Sequence, residues 1–125
     1  MNAKILIVDD SSLARRTARV VLEEMGHTVE ECSDGHQAIE RFFLGQPDLV
    51  VLDMVMQGMY GLDVLAKLRE LNPTARVIVV TADIQRSTEA QVRAAGASGM
   101  LNKPLNRQAF SAAVARVLEG GSTWN

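Results

Sequence analysis

Short aliphatic runs alternate along the chain with longer stretches whose apolar positions recur at helical spacing. "KILIV" (4–8) predicts a first strand. Residues 12–25, "SLARRTARVVLEEM", predict a helix with Leu13, Thr17, Val21 and Met25 inward and the arginines toward water, stopped at Gly26. "TVEEC" (28–32) predicts a second strand, which its two glutamates place at a sheet edge. "GHQAIERFFLG" (35–45) predicts a helix with Ile39, Phe42 and Phe43 inward, ended by Gly45 and Pro47. "LVVL" (49–52) and "RVIVV" (76–80) are unbroken apolar runs, the pattern of strands covered on both faces. Between them, 59–71 predicts a helix carrying Leu62, Leu65, Leu68 and Leu71. A fourth helix, 84–95, is polar, with only Ile84, Val92 and alanines to pack. "SGML" (98–101) predicts a short fifth strand, and 107–118 a last helix with Phe110, Val114 and Val117 on one stripe. "EGGSTWN" reads as a frayed tail in which Trp124 is unengaged.

Five strand–helix pairs in tandem predict an α/β fold: a doubly wound (βα)5 open parallel sheet with helices on both faces, a flavodoxin-like three-layer sandwich of strand order 2-1-3-4-5. Hairpin loops cannot hold the helical stretches, and a barrel of eight such units needs about twice the length. At 125 residues and 47% hydrophobic the chain suits one domain. We place it at 3–119, followed by a flexible tail at 120–125.

Composition narrows the function classes. A formal net charge of -2 gives no bulk attraction to nucleic acid or anionic membrane. The single cysteine, Cys32, excludes an internal disulfide and fits a reducing compartment. "MNAKILIVDD" runs from four apolar residues straight into two aspartates, unlike a secretory leader, and no run is long enough to span a membrane. A cytoplasmic location is expected.

Open sheets of this kind place their sites beyond the carboxyl ends of the strands, near the switch between the first and third. Strand one ends at Asp9 and Asp10, strand three at Asp53, and strand four at Thr81; Lys103 and Pro104 follow strand five. Each group taken singly has an ordinary reading as turn former, strand end or solvated charge. Their convergence at one rim is what points to chemistry. Crowded carboxylates repel unless a cation sits among them, and all-oxygen ligation selects Mg²⁺, or Mn²⁺, over zinc. No His/Cys cluster competes, since His27 and His36 are isolated and expected to be exposed. A lysine and a hydroxyl suit a phosphoryl group, and an aspartate can itself become an acyl-phosphate. Asp53, the carboxylate on a central strand, is the expected nucleophile.

The motifs "ILIVDDS", "LVVLDMVMQGMYGLDVL", "VIVVTA" and "GASGMLNKPL" resemble the receiver domains of two-component response regulators over about residues 3–119. That family is itself a standard instance of the 2-1-3-4-5 order, so fold and resemblance are not independent. The resemblance implies that Asp9 and Asp10 hold Mg²⁺ with Asp53 and the backbone carbonyl of Val55. It implies that Asp53 is the phosphoacceptor, that Thr81 moves toward the phosphoryl group, and that Lys103 pairs with it. A cis Lys103–Pro104 bond would aim the lysine inward. The phosphoryl donor would be a histidine kinase or a histidine phosphotransfer protein. A downstream protein would read the surface of the fourth helix, fifth strand and fifth helix, with Ala82, Met100 and Pro104 at the switch. The chain would act as a monomer or weak dimer, with self-phosphorylation and slow self-dephosphorylation but no turnover of an external substrate.

Four positions depart from the family. Met100 stands where an aromatic usually rotates, Gln57 where proline is frequent and Tyr60 where an acid is frequent. Val55 offers no side-chain hydrogen bond to an attacking water. "TADIQRSTEAQV" is similar to stand-alone receivers of chemotaxis-type signalling. The competing expectation is a receiver-like interaction module that works without phosphorylation. Neither a flavin site nor a phosphatase fits, because "DDSS" would repel a phosphate and Val55 supplies no acid.

Overall fold

A computed structural model describes residues 2–56, 58–83 and 85–124. Strands β1 (Lys4–Val8), β2 (Thr28–Cys32), β3 (Leu49–Asp53), β4 (Val77–Thr81) and β5 (Gly99–Asn102) alternate with helices α1 (Ser12–Glu24), α2 (Gly35–Gly45), α3 (Gly61–Leu71), α4 (Arg86–Ala94) and α5 (Arg107–Leu118). The strands pair in parallel in the order β2-β1-β3-β4-β5. This is the expected order, with glutamate-bearing β2 at an edge.

Strand alternation divides the apolar residues between two cores. Leu6, Val8, Val50, Leu52, Val77 and Val79 face α2, α3 and α4 through Phe42, Val64, Leu65, Leu68 and Val92. Ile5, Ile7, Leu49, Val51, Ile78 and Val80 face α1 and α5 through Leu22, Phe110, Val114 and Val117. Each fully buried aliphatic side chain contributes roughly 1.5–3 kcal/mol relative to exposure. Continuous burial of β3 and β4 therefore makes the centre of the sheet its stiffest part.

Both central strands run one residue beyond the aliphatic pattern. Asp53 pairs with Val80 and Thr81 with Asn102, so ladder hydrogen bonding carries each polar residue to the rim. The helical stripes also differ from expectation. Leu13 is 73% and Phe43 64% exposed, and Leu71 is exposed at the end of α3. Residues spaced by four drift around a helix of 3.6 residues per turn, so the buried face of α1 is Ala18, Val21 and Leu22. Phe42 and Phe43 point about 100° apart, and only Phe42 faces the sheet.

Side-chain caps close the N-termini of three helices: Ser11 accepts from the Ala14 amide, Asp34 from Gln37 and Asn106 from Ala109. The helices after β3 and β4 have no such cap. Helix α4 is also shallowly seated, with only Thr88 and Val92 buried among its residues. Ile84, expected to help anchor it, lies outside the described residues, as does Gln57.

The segment after α5 lies against the fold where the sequence suggests a frayed tail. Thr123 N–H donates to the Ser98 carbonyl at 2.9 Å, and Trp124 Nε1–H to the Ala97 carbonyl at 2.8 Å. His27 differs from expectation too: it is half-buried, and its Nδ1 accepts from the Ala3 amide at 3.1 Å.

Candidate functional site

The rim groups gather as the strand ends require. Asp9, Asp10 and Asp53 each offer a ligand atom, and these atoms lie within 4.8 Å of one another. Asp9 and Asp53 are buried and Asp10 is exposed, so the cluster has a dry wall and a wet mouth. Lys103 Nζ donates to Asp9 Oδ2 at 3.0 Å and stands 3.3 Å from Asp53 Oδ1. Sequence-distant side chains thus meet at one end of the sheet.

Local structure fixes Asp9 and Lys103. The Asp9 amide donates to the Cys32 carbonyl of β2, and the Ser11 amide donates to Asp9 Oδ1 at 2.9 Å. Lys103 is rooted by its own amide, which donates to the Thr81 carbonyl at 2.8 Å, and the Lys103–Pro104 peptide is cis. The backbone amide of Val55 works to lower the Asp53 pKa, while the Val55 side chain is exposed.

Electrostatics follow from this crowding. Burial lifts the Asp53 carboxyl above its ordinary range, and the neighbouring Asp9 charge adds to the effect; Lys103 and the Val55 amide oppose it. For Lys103, burial works to lower the pKa. Its hydrogen bond to Asp9 and the charges of Asp53 and Asp9 outweigh that cost, and the ammonium is held above its usual value. A fixed cation therefore faces a buried carboxylate, with an oxygen from each of Asp9, Asp10 and Asp53 close to the others. An all-oxygen set of this kind fits a hard divalent cation.

The residues expected at the switch lie as follows. Thr81 is buried at the end of β4, and its Oγ1 accepts the Asp83 amide at 3.0 Å. Ala82 is exposed beside it. Met100 is partly buried and packs on the core shared with α4, and Pro104 is exposed.

Three supports were not evident from the sequence. Arg15 Nη1 donates to the Asp9 carbonyl at 2.6 Å and its Nε to Glu31 at 3.0 Å, while Arg19 holds the other Glu31 oxygen at 2.6 Å. Asp83 accepts from Thr88 Oγ1 at 2.6 Å, tying the loop before α4 to the helix itself. Gly61 lets the chain fold back tightly under the site: an added Cβ would meet the Asp53 carbonyl at 2.7 Å and Met54 Cα at 2.8 Å. The glycine in "GMYG" was a visible signal for the third. The arginine–glutamate brace had none, since α1 and β2 meet only in the fold.

Residues 5–115 match the model of the response regulator receiver domain. The chain belongs to the response regulator receiver family. Among curated relatives, this receiver is 31% identical over 118 residues to the chemotaxis protein CheY of Halobacterium salinarum, covering 94% of this chain and 98% of that one. It is 34% identical to CheY of Pseudomonas aeruginosa, covering 93% and 96%. Among solved structures it is similar to a two-component response regulator of the LuxR family from Aurantimonas sp. SI85-9A1. That match has a TM-score of 0.91 at 26% identity, over 98% of this chain and 89% of that one. Receiver membership agrees with the motifs on which the sequence resemblance rests.

Proposed function

We propose that this receiver, acting through residues 3–119, accepts a phosphoryl group on Asp53 and thereby changes the surface formed by α4, β5 and α5. The observation that carries the reading is the buried Asp53 carboxylate, clustered with Asp9 and Asp10 and 3.3 Å from the Lys103 ammonium. An Asp53 oxygen attacks phosphorus, a new P–O bond forms, and the P–N bond of a phosphohistidine breaks with its electron pair leaving on the imidazole. The donor is a histidine kinase or a histidine phosphotransfer protein. Mg²⁺, or Mn²⁺, held by Asp9, Asp10, Asp53 and the Val55 carbonyl, supplies charge neutralisation for the transferring group. Lys103 adds a second positive charge from the protein itself. Thr81 turns its hydroxyl to donate a hydrogen bond to a phosphoryl oxygen, and that turn carries Oγ1 away from the Asp83 amide.

The chain performs this chemistry on itself and then loses the phosphoryl group slowly to water, without turning over a separate substrate. The output is binding of a downstream protein in the cytoplasm by a monomer or weak dimer, with Ala82, Met100 and Pro104 at the moving surface. Nucleic acid and membrane are not partners in this reading, consistent with a net charge of -2. Relatives named as chemotaxis proteins support chemotaxis-type signalling as its setting.

Incubation with acetyl phosphate and Mg²⁺ tests the reading directly. Intact mass should gain one phosphoryl group, and the gain should vanish with chelator or in Asp53→Asn. Labelling that survives this substitution would remove Asp53 from the role. A second reading, a module whose partner reads the unmodified surface, draws on Met100, which is held against the core in place of a rotating aromatic. Equal partner affinity with and without a stable phosphoryl mimic would favour it.

A further inference from the structure

The end of the described chain is bound to the corner where α4 meets β5. From Leu118 it turns at Gly120, whose φ is +95°, and the Gly121 amide donates to the Arg116 carbonyl at 3.0 Å. Thr123 then donates to the Ser98 carbonyl just before β5, on the edge that no other strand covers among the described residues. Gly99 makes the room: a Cβ there would collide with the side chain of Thr123. Trp124 packs against the α2–α3–α4 core and donates its indole N–H to Ala97, and Arg93 lies over its ring at 5.5 Å from the centroid. Main chain, indole, guanidinium and glycine cradle are independent contacts, and all close on one corner.

We propose that residues 121–124 are an internal strap, which pins the C-terminal end of α4 and occupies the start of the open β5 edge until Asp53 is phosphorylated. The coupling half of this inference rests on the phosphoacceptor reading above. Its physical route runs along α4. At the near end, Thr81 Oγ1 holds the Asp83 amide, Asp83 holds Thr88, and Asn102 Nδ2 donates to the Asp83 carbonyl at 3.3 Å. At the far end, Arg93 and the Ala97 carbonyl hold Trp124. Helix α4 has nine residues and no side-chain cap, and among the described residues Val92 is its one buried aliphatic anchor. It is short and lightly held, so a change at Asp83 displaces the helix as a unit, carrying with it Arg93 and also Ala97, whose amide donates to the Val92 carbonyl at 3.3 Å. A protein seated on the β5 edge must likewise exchange with Thr123.

The experiment uses the full chain and its sole tryptophan. In unloaded protein, Trp124→Ala should speed amide exchange at Ala95–Ala97 by at least about fivefold, the scale of one lost hydrogen bond, while α1 is unchanged. Gly99→Ala should expel the strap without altering Trp124, and should give the same acceleration together with red-shifted indole emission. Exchange unaltered in Trp124→Ala would overturn the pinning. Loading with beryllium fluoride and Mg²⁺, with occupancy read by fluorine NMR, should red-shift Trp124 emission in the parent and not in Asp53→Asn. Bound beryllofluoride with unchanged emission would overturn the coupling and leave Asp53 as phosphoacceptor. Absence of bound beryllofluoride would instead sink the phosphoacceptor reading and the coupling built on it, while the exchange comparison still decides the strap.

Discussion

Lys103 Nζ donates to Asp9 Oδ2 at 3.0 Å, a contact made across 94 positions of sequence. In the proposed function Asp9 is also a ligand of the divalent cation, so ammonium and cation would draw on the same charge. Like charges about 4 Å apart repel by about 4 kcal/mol at an effective dielectric of 20, before screening by water and salt reduces it. We expect Lys103→Met to tighten Mg²⁺ binding by roughly tenfold and to slow labelling by acetyl phosphate. Calorimetric titration with Mg²⁺ checks the first half. Unchanged or weaker binding would mean that Lys103 and the metal do not compete.

Asp53→Asn removes a charge that its surroundings oppose. Burial and Asp9 raise the folded-state pKa of this carboxyl, so the folded protein takes up its proton at a higher pH than the unfolded chain. The resulting penalty is complete above the folded pKa and disappears below the unfolded value of about 3.9. The amide should therefore stabilise the fold at neutral pH by about 1 kcal/mol after losing Lys103 as a partner, seen as a higher midpoint of thermal unfolding. That advantage should shrink as pH is lowered toward 4. Parallel melting curves at pH 7 and pH 4, without divalent cations, make the comparison.

Gly61 sits at the first turn of α3 with its amide donating to the Met54 carbonyl at 2.8 Å. The obstacle to a side chain is main chain on β3 and just after it, which cannot swing aside as a flexible side chain would. Gly61→Ala should destabilise the fold by about 1–3 kcal/mol, the usual cost of overpacking. Displacement of the Asp53 segment should also weaken metal binding. Urea unfolding and Mg²⁺ titration of one preparation would reveal both effects. A neutral result in both would show that the chain relaxes freely at this point.

The sheet was legible because it is written in unbroken aliphatic runs, and the rim residues because each follows such a run directly. Asp9, Asp53 and Thr81 needed only the strand order to be brought near one another. What the pattern could not specify was which flank of a helix faces inward when two apolar residues are adjacent, as at Phe42 and Phe43. Nor could it specify contacts between elements whose approach depends on the whole fold. Arg15 reads as one more solvent-facing arginine until β2 brings Glu31 beside it. Trp124 reads as tail until Gly99 and Ala97 offer a cradle and an acceptor. Periodicity reports burial along one element, whereas these contacts depend on the relative placement of two.

His27 gives a pH dependence separable from the phosphoryl site. Its Nδ1 accepts from the Ala3 amide, and protonation would replace that acceptor with a donor. Burial holds its pKa below the ordinary value, with Asp48 acting in the opposite direction. The unfolded chain therefore binds the proton more readily than the folded one. Stability from this residue is complete above about pH 6.5 and is lost as pH falls through the folded-state pKa. A glutamine there can accept from Ala3 through its side-chain carbonyl and cannot titrate. His27→Gln should accordingly match the parent in urea unfolding at pH 7.5 and exceed it by about 0.5–1.5 kcal/mol at pH 5, the worth of the hydrogen bond that histidine gives up. Subtracting one curve from the other cancels the carboxylates common to both proteins, and a flat difference between those pH values would exclude His27 as the group responsible.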